Sequence, residues 1–174
     1  MPLNIEIKAR VDDVEPLRKR IEALTHSEPE IIRQRDVFYK TQNGRLKLRY
    51  FDDDSAELIY YERTNASGAS RSDYQRVQIP QPVETHEILT KIMKVRGIVE
   101  KIRMLYYIDQ TRVHLDQVEH LGNFLELEVV LRAEQSEQEG EQIAEAVCEK
   151  LGIREKNFID VAYIDLLEEI YTDH

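Results

Sequence analysis

The chain predicts an α+β fold with mostly antiparallel strands, and three observations carry that expectation. Apolar and polar residues alternate with period two through several separate stretches, the mark of strands with one apolar and one polar face. The elements run strand, helix, several strands, helix, several strands, two helices, rather than in repeated strand–helix units. Neither GxGxxG nor GxxxxGK[ST] occurs, which disfavours a dinucleotide-binding fold or a P-loop.

Taken in order, residues 3–11 set Leu3, Ile5, Ile7 and Ala9 against Asn4, Glu6, Lys8 and Arg10, a strand. Acidic Asp12 and Asp13 and an early Pro16 start a helix that carries Val14, Leu17, Ile21 and Leu24 to about Thr25. Residues 30–41 read as extended, and Asn43-Gly44 is a hairpin turn signal before the strand at 45–50. Residues 58–63 and 74–79 are strand-like, separated by the polar loop 65–70, expected to be mobile. Pro80 and Pro82 end that run, and Ile88, Leu89 and Ile92 place a helix over 83–93. Residues 95–109, 112–118 and 123–132 are three further strands, with Gly122 at the last turn. Residues 134–150 and 158–170 read as two helices.

Composition excludes several function classes. Of 174 residues, 24 are Lys or Arg and 34 are Asp or Glu, so the net charge is −10. A chain that coats nucleic acid or an anionic membrane needs the opposite sign, so neither partner is expected. A small anionic ligand stays open, because a local basic cluster can oppose the global charge. No run approaches the roughly 18–20 apolar residues of a membrane span, and residues 1–6 lack the basic and apolar regions of a signal peptide. The one cysteine, Cys148, permits no intrachain disulfide and no cysteine-built zinc site, so a cytoplasmic location is expected. With no internal repeat or linker, residues 1–174 are expected to form one domain, its strands within 3–132 and its C-terminal helices within 134–171.

The polar strand faces carry the functional signal. Glu6 and Lys8 share one face, as do Arg45, Lys47 and Arg49, then Lys101 and Arg103, then His114 and Asp116, then Glu126 and Glu128. Any one of these is an ordinary solvated sheet face. Together they place carboxylates on the first and last strands and basic residues between, so a sheet that closed on itself would enclose a charged interior of both signs. Carboxylate oxygens suit a hard divalent cation, and Lys and Arg suit phosphate oxygens. Metal plus basic clamp is the chemistry of phosphoryl transfer. The Arg18-Lys19-Arg20 run reads as a solvated helix face, and His26, His86 and His120 show no metal-ligand spacing.

The ordered set Glu6-x-Lys8, Arg45-Leu46-Lys47-Leu48-Arg49, Lys101-x-Arg103, Asp116 and Gly122-Asn123-Phe124-Leu125-Glu126-Leu127-Glu128 resembles the CYTH superfamily of triphosphate tunnel metalloenzymes. Tyr163-Ile164-Asp165-Leu166-Leu167 is similar to its closing motif, and length and spacing are most similar to the class IV adenylate cyclase branch. The resemblance implies an eight-stranded antiparallel β-barrel forming an open charged tunnel, flanked by helices. It implies triphosphate contacts from Lys8, Lys47, Arg49, Lys101 and Arg103, with Arg76 as a further candidate. It implies Mg²⁺ or Mn²⁺ on Glu6, Glu126 and Glu128, with catalytic roles for Lys8 and Asp116. The family signature is ExExK, and Asn4 stands here for its first glutamate, an amide oxygen without charge. Many relatives also place a lysine where this chain offers Arg63, whose direction alternation does not settle.

Two reactions fit this ground state: cyclisation of ATP to cyclic AMP and pyrophosphate, and hydrolysis of inorganic triphosphate or another small organic triphosphate. A non-catalytic nucleotide or polyphosphate binder and a merely solvated sheet remain as alternatives. The resemblance and the two C-terminal helices also allow a homodimer.

Overall fold

Hydrogen bonding closes the sheet on itself. A computed structural model describes residues 3–64 and 69–172 of the chain. Its elements are β1 (Leu3–Arg10), α1 (Val14–Leu24), β2 (Glu30–Tyr39), β3 (Arg45–Phe51), β4 (Ala56–Thr64), β5 (Ser70–Gln78) and α2 (Pro82–Ile92). They continue with β6 (Val95–Ile108), β7 (Thr111–Val118), β8 (Gly122–Val130), α3 (Glu137–Leu151), β9 (Phe158–Ile159) and α4 (Tyr163–Thr172). Around the ring the order is β5–β4–β3–β2–β6–β7–β8–β1, and β1 pairs back with β5. Every pairing is antiparallel. This is a closed eight-stranded antiparallel barrel with one extra strand and four helices, as expected. Closure removes the free sheet edges and sends alternate residues of each strand inward and outward.

The outward apolar residues define where the helices sit. Ile5 and Ile7 of β1, Val113 and Leu115 of β7, and Leu125, Leu127 and Val129 of β8 are buried beneath α1 and α3. Leu17 and Ile21 come from α1, and Ala144, Val147, Cys148 and Leu151 from α3. Cys148 is thus a buried core residue. Ser136 caps α3, its hydroxyl accepting from the Glu139 amide while the Glu139 carboxylate accepts from the Ser136 amide. Gly140 lets α3 lie close, since a Cβ there would stand 2.7 Å from Ile5 Cγ1. On the other flank Val37, Tyr39, Leu48 and Ala56 meet Leu89 and Met93, which seats α2 and the turn after it.

A third apolar cluster lies at one end of the barrel. Phe38, Val99, Val118 and Phe124 meet Ala162, Tyr163, Ile164, Leu166 and Leu167 of α4 and the residue before it. Gly97 makes room for this helix, because a Cβ there would fall 2.6 Å from Ile164 Cδ1. Arg45 and Arg96 clamp the same helix through Asp165, and Arg96 also reaches Glu168.

Three expectations need correction. Residues 158–170 are not one helix: a 3-10 turn over Glu155–Asn157 leads into β9, whose Phe158 and Ile159 pair with Ala9 and Lys8, and α4 begins only at Tyr163. The strand expected at 74–79 starts at Ser70, because its first residues pair with β1. The strand expected at 58–63 spans Ala56–Thr64. Most of the loop expected at 65–70 lies outside the described residues. No helix among the described residues is long and apolar enough to cross a membrane.

Candidate functional site

The inward residues enclose a cavity of about 130 Å³ inside the barrel. Asn4, Glu6 and Lys8 reach it from β1, Lys47 and Arg49 from β3, Lys101 and Arg103 from β6, Glu126 and Glu128 from β8, and Arg76 from β5. Of the residues expected to form the site, only Asp116 does not line the cavity; it is buried behind Arg103. Arg63 does line it, which settles its direction. The β1–β8 register sets Glu6 opposite Glu128 and Lys8 opposite Glu126, so these four groups share one wall.

The wall made by β2, β3 and β6 is organised by a residue that the alternation pattern does not single out. Asp36 is 1% exposed and accepts from Arg49 Nε at 2.7 Å, Arg49 Nη2 at 2.8 Å and Lys101 Nζ at 3.0 Å. Lys47 Nζ stands 3.5 Å away. Burial pushes this carboxyl up, but Arg49, Lys101 and Lys47 outweigh it and hold it well below the usual carboxylate range. Burial lowers Lys101 to about 7 against the pull of Asp36, with Arg49, Arg103 and Lys47 adding to the drop; burial brings Lys47 down to about 8. Asp36 supplies the countercharge that lets three basic groups gather in a dry space.

A second ion cluster centres on Arg103. It donates from Nε and Nη2 to the two oxygens of Asp116, both at 2.8 Å, and from Nη2 to Glu126 at 3.2 Å. Tyr163 donates its hydroxyl to Asp116 Oδ2 at 2.8 Å. The same tyrosine lies under Lys8, whose Nζ is 3.9 Å from the ring centroid. Lys101 Nζ of the Asp36 cluster lies 5.7 Å from the same centroid, so Tyr163 links the closing helix to both clusters. In the sequence it stands out only as part of a closing motif.

The β1–β8 wall is less complete. Burial, then Glu126 and Glu128, raise Glu6 to about 8. Burial would also raise Glu126, but Lys8 and Arg103 outweigh it and hold that group low. Among the described residues, buried Asn4 Oδ1 meets no hydrogen-bond partner. Buried Arg63 Nε likewise meets none among them, although its Nη2 donates to Ser70 Oγ at 3.3 Å. Asn4 Oδ1, Glu6, Glu126 and Glu128 thus face one cavity and offer oxygen atoms of the kind a hard divalent cation takes.

His114, Asp116 and Glu126 also bring ligand atoms within 4.8 Å of one another. Arg103 already bridges the two carboxylates of that trio, so a cation there would compete with a guanidinium. His114 accepts at Nε2 from Arg112 Nε at 3.4 Å, which leaves the proton on Nδ1, 3.9 Å from Glu126 Oε2 and too far for a hydrogen bond. His114 does not line the cavity, and Arg112 does. The period-two series Arg112, His114, Asp116 contained that signal. Asp36 could not be read in the same way, because exposed Arg33 and Arg35 beside it make both faces of β2 polar.

Known proteins match nearly the whole length of this chain. A protein of Methanocaldococcus jannaschii named as a candidate adenylate cyclase is 25% identical over 94% of this chain and 98% of its own length. The solved structure of a Pyrococcus horikoshii protein matches with a TM-score of 0.84 at 26% identity, covering 94% of this chain and 98% of that one. A Hippeastrum protein, described as an adenylyl cyclase candidate with a dominant triphosphatase activity, shares the fold with a TM-score of 0.68 at 14% identity, over 97% and 96% of the two chains. The family model described as the CYTH domain matches residues 2–163, from β1 through the cavity-lining strands to Tyr163, and the chain belongs to that family.

Proposed function

We propose that this protein is a divalent-metal-dependent enzyme that acts on a triphosphate held in the barrel. The observation that carries the reading is the pair of opposed walls in one cavity: a basic wall preassembled on Asp36 and Asp116, and a carboxylate wall with Asn4 Oδ1 unpartnered. Lys8, Arg63, Arg76, Lys47, Arg49, Lys101 and Arg103 contact phosphoryl oxygens. Asn4, Glu6, Glu126 and Glu128 hold Mg²⁺ or Mn²⁺, which when bound neutralises the charge of the phosphoryl oxygens. Asp116 acts through Arg103, fixing the plane of its fork.

The preferred reaction is adenylate cyclase-like. The ribose 3′-hydroxyl gives up its proton to water, its oxygen forms a bond to the α-phosphorus, the bond from that phosphorus to the bridging oxygen breaks, and pyrophosphate leaves. Lys8 stands on the carboxylate wall beside Glu126 and orients the nucleophile. The name of the Methanocaldococcus relative supports this reading. Hydrolysis of a triphosphate is the second reading. It is favoured by Asn4, which removes one charge from the metal set, and it is the activity described for the Hippeastrum protein.

Phosphorus NMR of the protein with Mg²⁺ or Mn²⁺ separates the readings. Cyclic AMP plus pyrophosphate from ATP establishes the cyclase. Orthophosphate plus pyrophosphate from inorganic triphosphate, with ATP intact, establishes the hydrolase. Turnover of neither, while inorganic triphosphate still raises the melting temperature, identifies a binder without catalysis on these compounds.

A further inference from the structure

One arginine in the cavity belongs to neither ion cluster. Glu6, Glu128, Arg112 and Tyr107 stand side by side in one row across β1, β8, β7 and β6. Glu6, Glu128 and Arg112 line the cavity. Among the described residues, Arg112 is the one ion-pair partner of Glu128, and its Nε lies 3.6 Å from Glu128 Oε1, beyond hydrogen-bond reach. Its other polar contacts are nearly as long. Nε donates to His114 Nε2 at 3.4 Å, and Nη1 donates to Tyr107 Oη at 3.5 Å. Arg49 and Arg103, by contrast, each make two bonds of 2.8 Å or less to a single aspartate.

Its place matters as much as its loose hold. The cations assigned above to phosphoryl oxygens come from β1, β3, β4, β5 and β6, whereas Arg112 comes from β7 and stands against the carboxylate wall. A divalent cation and a guanidinium that face the same carboxylate repel each other. Glu128 therefore keeps Arg112 only while it holds no metal. The arginine stem is long, no short bond ties it, and its planar fork suits phosphoryl oxygens.

We propose that Arg112 is an exchangeable binding residue: it is the countercharge of Glu128 while the carboxylate wall holds no metal, and a phosphate ligand once that wall is engaged. This rests on the triphosphate reading above and adds a coupling to it. Metal on the carboxylates frees Arg112 for the anion. An anion that draws Arg112 away leaves Glu128 open to metal, so each tightens the other by the same factor.

The test is three calorimetric titrations of the whole chain: Mn²⁺ alone, imidotriphosphate in EDTA, and imidotriphosphate at saturating Mn²⁺. The nitrogen bridges of imidotriphosphate resist hydrolysis, so turnover does not intrude. Arg112→Gln is expected to tighten Mn²⁺ alone by about threefold, the weight of a partly exposed charge pair. It is expected to weaken imidotriphosphate at saturating Mn²⁺ by about tenfold or more, the loss of one charge-assisted hydrogen bond, and to change it little in EDTA. Coupling from direct contact of cation and anion is common to both proteins and leaves that difference intact. Arg112→Lys keeps the charge and is expected to keep the wild-type affinity for Mn²⁺ alone. Unchanged or weaker Mn²⁺ binding in Arg112→Gln overturns the proposal. So does an equal loss of imidotriphosphate affinity with and without Mn²⁺, which marks a fixed phosphate contact. Failure of wild type to bind either Mn²⁺ or imidotriphosphate overturns the triphosphate reading itself, an outcome distinct from the loss of exchange alone.

Discussion

The two walls of the cavity use the same residue types and reach opposite states of balance. On the β2–β3–β6 side, Asp36 satisfies Arg49 and Lys101 directly and stands near Lys47. On the β1–β8 side, Glu6 is raised to about 8 by burial and its carboxylate neighbours, and Asn4 Oδ1 has no partner among the described residues. The first wall is complete without a ligand. The second keeps one carboxyl raised beside two others, even with Lys8 and Arg63 near it. The difference teaches that a charged interior can store its stability in one half and its binding capacity in the other.

The largest expected effect breaks the complete wall. Asp36→Ala strands three buried cations, and removing one partner of a buried ion pair costs about 3–5 kcal/mol. Urea unfolding is expected to show that loss as a lower midpoint with an unchanged slope. A loss below about 1 kcal/mol, the size of a surface pair, would mean that the cations relax to solvent and that the wall is not preassembled.

Next comes the incomplete wall, through its pH dependence. Because Glu6 is raised from 4.5 to about 8, the folded protein holds a proton that the unfolded chain has released across that window. The Glu6 contribution to stability without metal is therefore expected to fall as pH rises from about 4.5 to 8, while Lys101 and Lys47, lowered to about 7 and 8, begin to act the other way at the top of that window. Asp36 and Glu126, both held low, act in the opposite sense: their stabilisation is present above their unfolded values and is lost as pH falls through the folded ones. Mg²⁺ is expected to raise the wild-type melting temperature at pH 8, and Glu6→Gln is expected to flatten the decline toward pH 8 in thermal melts and to abolish that rise. A decline of the same slope in the variant would assign it to another group.

Tyr163→Phe sharpens the comparison by touching the hinge between the walls. It removes the hydroxyl that donates to Asp116 and keeps the ring under Lys8. The expected cost is about 2 kcal/mol, the scale of a hydrogen bond to a charged group. Triphosphate affinity measured by calorimetry is expected to fall with it, because Arg103 loses a restraint on its carboxylate partner.

The smallest effect is a gain. Asn4→Asp adds a charge to the oxygen set and is expected to tighten Mn²⁺ binding about tenfold by calorimetry, since ligand charge tunes affinity for hard cations. It is also expected to lower the melting temperature of the metal-free protein. Unchanged Mn²⁺ affinity would place the cation away from β1.

Much of this architecture is legible in the residues alone. In β1 the apolar Ile5, Ile7 and Ala9 and the polar Asn4, Glu6 and Lys8 sort cleanly, because one face meets α3 and the other meets the cavity. The basic strands β3 and β6 and the carboxylate strand β8 read equally well. Asp36 does not, because its strand is polar on both faces. The strand β9 escapes as well: two residues have no period, and only their pairing with Lys8 and Ala9 makes them a strand.

Alternation by itself determined which residues could share a face, because a strand sends successive side chains to opposite sides whatever surrounds it. Charge type determined that such a face, if enclosed, would gather carboxylates and basic groups in one space. Which cations are already bound to Asp36 and Asp116, and which oxygen is left without a partner, was decided only by the tertiary structure. Ion pairing depends on distances of a few ångströms between strands far apart in sequence, and closure of the ring through β1 and β5 sets those distances.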